Sequence, residues 1–221
     1  MRNLRELWFR PSYAGWNPHL YEWYFRRTPL GAAIRVREEE AVFDFLGTVM
    51  KPDHSVLEVG PGTGNYTVPL ARRCRRIVSV DPSPEMLRYL RERLSREGLA
   101  NVEARLGNLP KGLGIAEKFD GTLVIGVLNY AEDLEESLRA LISFLKPGGW
   151  AIFNVPLTTV EGRIYALTEL VGRRRVNLLS SEDTLDLAER AGLRIRTATP
   201  TGLSRSGFTL TVGAVVTAVH R

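Results

Sequence analysis

Short apolar runs alternate with stretches whose apolar positions recur at helical spacing through the middle of the chain. The runs are Val56–Val59, Arg76–Val80, Val102–Leu106, Phe119–Val127 and Trp150–Val155, and each predicts a buried strand. Between them, 65–74 predicts a first crossover helix. Ser83-Pro84-Glu85 opens a second, with a hydroxyl to cap it, proline at the first position and an acid in the first turn. Met86, Leu87, Leu90 and Leu94 form its apolar face, and Gly98 ends it. Leu134, Leu138, Leu141 and Leu145 line a third helix, which Lys146-Pro147-Gly148-Gly149 terminates. Strand and helix alternate five times, the pattern of a doubly wound parallel sheet.

The two ends of the chain depart from this alternation. Upstream, an aromatic helix is expected around Tyr21–Phe25, between turns at Asn17-Pro18 and Pro29-Leu30-Gly31. A longer helix follows over Ala32–Met50, with Glu38, Glu39 and Glu40 as a solvated face. Downstream, Ile164, Leu167, Leu170 and Val171 predict a helix outside the alternation, and Ser180 with Asp183 caps the next. Leu193–Thr199 and Phe208–His220 read as two last strands, and the connection over 200–207 suits an antiparallel pair. The expected fold is α/β, a doubly wound, Rossmann-like, seven-stranded sheet. It is mostly parallel with an antiparallel last strand, and helices cover both faces. Residues 1–50 form a helical cap continuous with a core domain at 51–221, and a helical insertion lies at about 157–180. There is no internal repeat.

The sharpest local feature is Ser55–Thr67, SVLEVGPGTGNYT. Gly60, Gly62 and Gly64 follow the first strand at once, so the backbone can turn tightly there and approach a ligand with no Cβ in the way. Ligands of open α/β sheets bind at the carboxyl ends of the strands, where Glu58 also sits. Asp81 ends the second strand, 17 residues after Gly64, and a carboxylate there can accept from both hydroxyls of a ribose. The dinucleotide fingerprint Gly-x-Gly-x-x-Gly needs its third glycine one residue later than Gly64.

VLEVGPGTG resembles the first signature motif of class I S-adenosylmethionine-dependent methyltransferases. VDPSPEML, LKPGG and the closing strands follow in that family's order. The nearest group is the type 11 small-molecule methyltransferases, which include ubiquinone and menaquinone C-methyltransferases, over roughly 21–192 and including the TPLG turn at 28–31. The resemblance implies S-adenosyl-L-methionine as cofactor and S-adenosyl-L-homocysteine as product. By it, Gly60, Pro61, Gly62, Thr63 and Gly64 hold the methionine part, favoured by the N-terminus of the following helix. Glu58 orients the loop and meets the amino group, and Asp81 takes the ribose hydroxyls. Pro82 and Met86 wall the adenine, Asn108 meets its amino group beside Leu109, and Ile125 flanks the donor. The family usually reads Gly-Asp-Ala-x-x-Leu-Pro where this chain has Gly107-Asn108-Leu109-Pro110. Ile125, Gly126, Asn129 and Tyr130 lie where the acceptor would sit, with Tyr21 and Tyr24 capping the site. Asn129, Tyr130, Tyr21 and His19 are the catalytic candidates; His220 and Glu161 are weaker ones. No metal is called for.

Composition narrows this little. The chain has 221 residues, 44% of them apolar and 25% charged, ordinary for a soluble domain. It has one cysteine, Cys74, and no leader-like or membrane-spanning apolar run, so the expectation is a cytoplasmic protein. Leu4, Leu7 and Trp8 share a helical face among arginines, a pattern able to touch a membrane surface. The net charge is +5, and only four of the 30 basic residues are lysine. Three readings follow: methyl transfer to a small-molecule, lipid or quinone-like acceptor, to an RNA or DNA base, or a cofactor-binding protein without catalysis. The basic charge and the likeness of VLEVGPGTGNYT to rRNA adenine dimethyltransferases favour the second; Asn129-Tyr130 lacks the pair those enzymes place between Asn and Tyr. The oligomeric state leaves no signal in the sequence.

Overall fold

The computed structural model describes residues 17–108, 115–171, 174–204 and 206–216, with backbone alone at 20, 21, 24–26 and 29–31. Among the described residues, two helices, α1 (Pro18–Arg27) and α2 (Pro29–Val49), precede the sheet. The core then runs β1 (Ser55–Val59), α3 (Thr67–Ala71), β2 (Arg76–Asp81), α4 (Pro84–Arg96), β3 (Val102–Leu106) and β4 (Phe119–Val124). A single 3-10 turn (Leu128–Tyr130), α5 (Leu134–Ser143), β5 (Leu145–Pro156), α6 (Val160–Val171), α7 (Ser181–Arg190), β6 (Leu193–Thr201) and β7 (Thr209–Val216) complete it.

The seven strands lie in the order β3-β2-β1-β4-β5-β7-β6. β7 runs antiparallel to both neighbours, and the rest are parallel. Alternation along the strands builds two cores. On one face Val56, Ile77, Leu123 and Ile152 pack with Val42, Phe45 and Leu46 of α2 and Leu70 of α3. On the other, Leu57, Val78, Val80, Phe153 and Val155 pack with Leu138 and Leu141 of α5 and Leu187 of α7. Each such side chain contributes about 1.5–3 kcal/mol on burial.

Several elements depart from the expected ones. Pro29 begins α2 instead of a turn, since a first-turn residue has no amide to lose; Ala32 N–H makes an early helical bond to Thr28 O, 3.0 Å. The first crossover helix shrinks to the five residues of α3, and its N-cap, Tyr66, offers no side-chain cap. LKPGG opens β5 instead of only ending a helix, with a register shift opposite Phe119 and Gly121. The Ser180 cap is as expected: its Oγ accepts from Asp183 N–H at 3.0 Å and donates to Asp183 Oδ2 at 2.7 Å. Among the described residues no helix is long and apolar enough to cross a membrane. The amphipathic stretch around Leu4, Leu7 and Trp8, Leu109, His220 and the side chains of Tyr21 and Tyr24 lie outside the described residues.

Candidate active site

The strand order reverses between β1 and β4, so the loops leaving their carboxyl ends lie side by side. A cavity of about 770 Å³ opens there. Gly60, Pro61 and Gly62 form one wall, Ile125 and Gly126 the next, and Asn129 and Tyr130 of the 3-10 turn a third. Trp23, α2, α6 and the loop before β7 close the rest.

The three loop glycines all have positive φ, at 71°, 53° and 87°, a region an L side chain rarely adopts. Their surroundings differ. A Cβ on Gly60 would be driven into Val127, and one on Gly64 would lie 2.6 Å from Leu90 Cδ1 of α4, whereas one on Gly62 meets nothing within 4 Å. Gly60 and Gly64 are therefore packing glycines, and Gly62 faces open space in the cavity wall. Thr63 turns away too: its hydroxyl donates to Glu22 of α1, and Arg93 binds its carbonyl at 2.9 Å.

Two buried carboxylates stand behind the loop. Glu58 Oε2 accepts from Thr67 Oγ1 and Ser79 Oγ, both at 2.7 Å, while Oε1 has no partner. Burial, helped by the nearby Asp81 charge, pushes its pKa up to about 7. Asp81 accepts from Gly62 N–H (3.3 Å) and Ser83 N–H (2.8 Å), tying the tip of β2 to the glycine loop. Burial raises it to about 6. Neither carboxylate lines the cavity; nor do Pro82, Met86 and Asn108, which run along the β2–α4 and β3 side. Met86 is buried, Pro82 half-buried and Asn108 exposed.

Across the cavity, hydrogen bonds define a directed chain. Asn129 Nδ2 lies 3.1 Å from Tyr165 Oη, Tyr165 Oη 2.9 Å from Tyr130 Oη, and Tyr130 Oη 3.2 Å from Glu169 Oε2. Arg174 pairs with the same carboxylate oxygen at 2.6 Å. Tyr130 donates to Glu169, so the proton in the Tyr–Tyr contact belongs to Tyr165. Tyr165 must then accept from Asn129, which fixes the amide with Nδ2 toward it. Asn129 Oδ1 is left buried without a partner. Burial, with Glu169 beside it, holds Tyr130 well above the ordinary phenol range, so it is a neutral donor.

A second network lies under the glycine loop. Glu38 of α2 accepts from Tyr66 Oη at 2.8 Å and Asn154 Nδ2 at 2.7 Å, and Asn154 Oδ1 accepts from Gly126 N–H at 2.7 Å. Burial raises the pKa of Glu38. Glu161 of α6 accepts from the amides of Leu203 (3.1 Å) and Ser204 (2.7 Å), pinning the 200–207 loop at the cavity mouth.

Of the residues expected at the site, Gly60, Pro61, Gly62, Ile125, Asn129 and Tyr130 share the cavity wall, with Glu58 and Asp81 directly behind. His19 does not: it is exposed on α1 and meets Tyr89 edge-on at 5.2 Å between ring centres. The helix-terminus contribution to anion binding is also reduced, since α3 is a single short turn with little dipole to sum. Glu38, expected in a solvated face, is a central acceptor. Tyr66, Asn154, Tyr165, Glu169 and Arg174 are wall residues the sequence reading missed. Asn154 left a signal, a polar residue inside the apolar run AIFNV.

Residues 56–149 match a family model described as a methyltransferase domain. The chain is 37% identical over 106 residues to a protein-L-isoaspartate O-methyltransferase of Myxococcus xanthus, covering 48% of this chain and 47% of that one. It is also 37% identical over 102 residues to a probable cobalt-precorrin-6B C(15)-methyltransferase (decarboxylating) of Methanothermobacter thermautotrophicus, covering 46% and 52%. The chain thus spans about half the length of the curated relatives it matches. Among solved structures, the N-methyltransferase NodS from Bradyrhizobium japonicum, in complex with S-adenosyl-L-homocysteine, superposes with a TM-score of 0.68 at 20% identity, covering 88% of this chain and 91% of that one. Residues 56–149 thus resemble a methyltransferase domain, and the described chain shares its fold with that solved methyltransferase.

Proposed function

We propose that the chain transfers a methyl group from S-adenosylmethionine to a small, largely apolar acceptor held in the cavity. The observation that carries this is the placement of Gly62, open to the cavity and tethered by its amide to Asp81. The donor fits the residues behind that wall. Gly60–Gly62 suit its methionine part, and the free Oε1 of Glu58 suits its ammonium group. Asp81 suits the ribose hydroxyls, Pro82, Met86 and Asn108 the adenine side, and Ile125 the boundary with the acceptor. The donor supplies an activated methyl carbon on a sulfonium, so the chain's task is to align the acceptor and exclude water.

Trp23, Ile34, Ile164 and Phe208 give the wall its apolar area, Glu38, Asn154, Glu169 and Arg174 are engaged in hydrogen bonds or ion pairs within it, and Asn129 Oδ1 is left without a partner. An apolar chamber with a few polar groups suits a small molecule better than a flipped nucleic-acid base with its flanking strand. The relatives act through oxygen, carbon and nitrogen in turn, by their descriptions, so they do not choose the acceptor atom.

Calorimetric titration with S-adenosylmethionine is the primary test. One-site binding that Asp81→Ala weakens tenfold or more is expected; absence of binding at millimolar ligand would sink the reading. Release of S-adenosylhomocysteine across a panel of phenols, amines and quinols then identifies the acceptor.

A further inference from the structure

Helix α6 is built the wrong way round for a helix of a globular domain. Glu161, Tyr165 and Glu169 follow at intervals of four and face inward, each hydrogen-bonded to the protein. The opposite stripe is apolar and points to solvent. Val160, Ile164, Leu167 and Val171 sit at positions one, five, eight and twelve of the helix and are 75%, 57%, 63% and 87% exposed. A surface helix ordinarily turns such a stripe to the core.

Two further features bear on what covers it. Glu161 and Glu169 are the only acids in α6, so its outward face carries none, whereas Arg163 on that face and Arg175 just beyond the helix are exposed. The stripe is also continuous with the cavity: Ile164 belongs to both, and Trp23 and Leu203 are exposed large apolar residues that line the cavity as well. An apolar face flanked by arginine, free of acids and bordered by tryptophan has the chemistry of an interfacial helix on an anionic bilayer.

We propose that the outward face of α6 is a docking surface for an anionic lipid bilayer, placing the cavity mouth at the headgroup boundary. Docking itself does not depend on methyl transfer. Its consequence, that a lipophilic acceptor enters from the bilayer without crossing water, rests on the reading given under Proposed function.

Co-sedimentation of the full chain tests it, using vesicles of phosphatidylcholine alone and of phosphatidylcholine mixed with phosphatidylglycerol. The expected result is partition onto the mixed vesicles, much weaker partition onto the neutral ones, and loss at high salt. Leu167→Glu/Val171→Glu should lower the partition coefficient at least tenfold, and Arg163→Glu/Arg175→Glu should lower it on the mixed vesicles and remove the preference for them over neutral ones. These four positions lie outside the cavity wall, so donor calorimetry on the same samples checks the fold separately. Vesicle binding without donor binding would remove the methyl-transfer reading and leave the docking surface standing. No partition onto mixed vesicles, or equal partition of wild type and Leu167→Glu/Val171→Glu, overturns the proposal. So does a dimer in sedimentation velocity that the same double substitution dissolves, which would assign the face to a second copy. A drop of several degrees in the Tm of that variant would place the face under another part of the chain and overturn it as well.

Discussion

Glu58 is a carboxylate with one oxygen bonded twice and the other bonded to nothing, almost fully buried. Its pKa is raised from 4.5 to about 7, so the ionised form is disfavoured in the folded state. The sign follows from linkage. A group protonated more readily in the folded than in the unfolded chain stabilises fully below its unfolded pKa, and that stability is lost as pH rises through the folded value. Relative to Glu58→Gln, the wild type should lose roughly 3 kcal/mol of unfolding free energy between about pH 4.5 and pH 7, from 1.36 kcal/mol per unit. Denaturant titrations of both proteins at the two ends of that window check this; a constant difference would place the charge elsewhere. Asp81, raised to about 6, behaves alike in the ligand-free chain. A donor that brings an ammonium to Glu58 and hydroxyls to Asp81 favours the ionised forms. Its affinity should therefore rise from about pH 5 to pH 8, and Asp81→Ala should weaken it roughly tenfold to a hundredfold, the loss of one or two charge-assisted hydrogen bonds. Calorimetric Kd values at the two pH values decide it.

The glycine loop separates packing from binding within one element. Gly60→Ala puts a methyl group into Val127 at φ 71°, and should destabilise the fold by about 1–3 kcal/mol. Gly62→Ala meets no atom within 4 Å and should cost only the strain of its φ, about 1 kcal/mol, while its methyl group enters the cavity wall. Thermal unfolding should rank Gly60→Ala as the less stable, and donor titration should find Gly62→Ala the more impaired in affinity for its stability. The reverse ranking would assign Gly62 to packing. The regular elements were legible because burial on both faces leaves apolar strand runs, and because Ser83 and Ser180 are local caps. What stayed hidden depends on which way an element faces. Glu38 shares a charged run with Glu39 and Glu40, and nothing local tells that Tyr66 and Asn154 meet it from two other elements. The period of α6 was readable from Ile164, Leu167 and Val171, but its sense is inverted, because Glu161 and Glu169 find partners inside. Asn129 and Tyr130 were legible by position after β4; the tyrosine and ion pair that orient them come from α6 and the segment after it.

At the scale of the molecule, the helical cap is wired to both strand-tip loops. Thr63 of the glycine loop donates to Glu22 of α1. Glu38 of α2 joins Tyr66, just past that loop, to Asn154 and through it to the Gly126 amide after β4. Arg37, one residue earlier on α2, binds Gly202 O at 3.1 Å, and Glu161 holds the next two amides of that loop. A ligand that immobilises Gly60–Gly62 should therefore restrain α2 as well as the loop it touches. Hydrogen exchange with and without S-adenosylmethionine measures this, since protection reports the free energy of local opening. Slower exchange is expected in amides 34–42 of α2 and 126–130 after β4, as well as in 58–66. In Glu38→Ala the protection of 58–66 should persist while that of α2 disappears, because Tyr66 and Asn154 lose their common acceptor. Protection confined to 58–66 and 81–86 in the wild type would show instead that the cap is merely adjacent to the donor site, with each wall of the cavity responding alone.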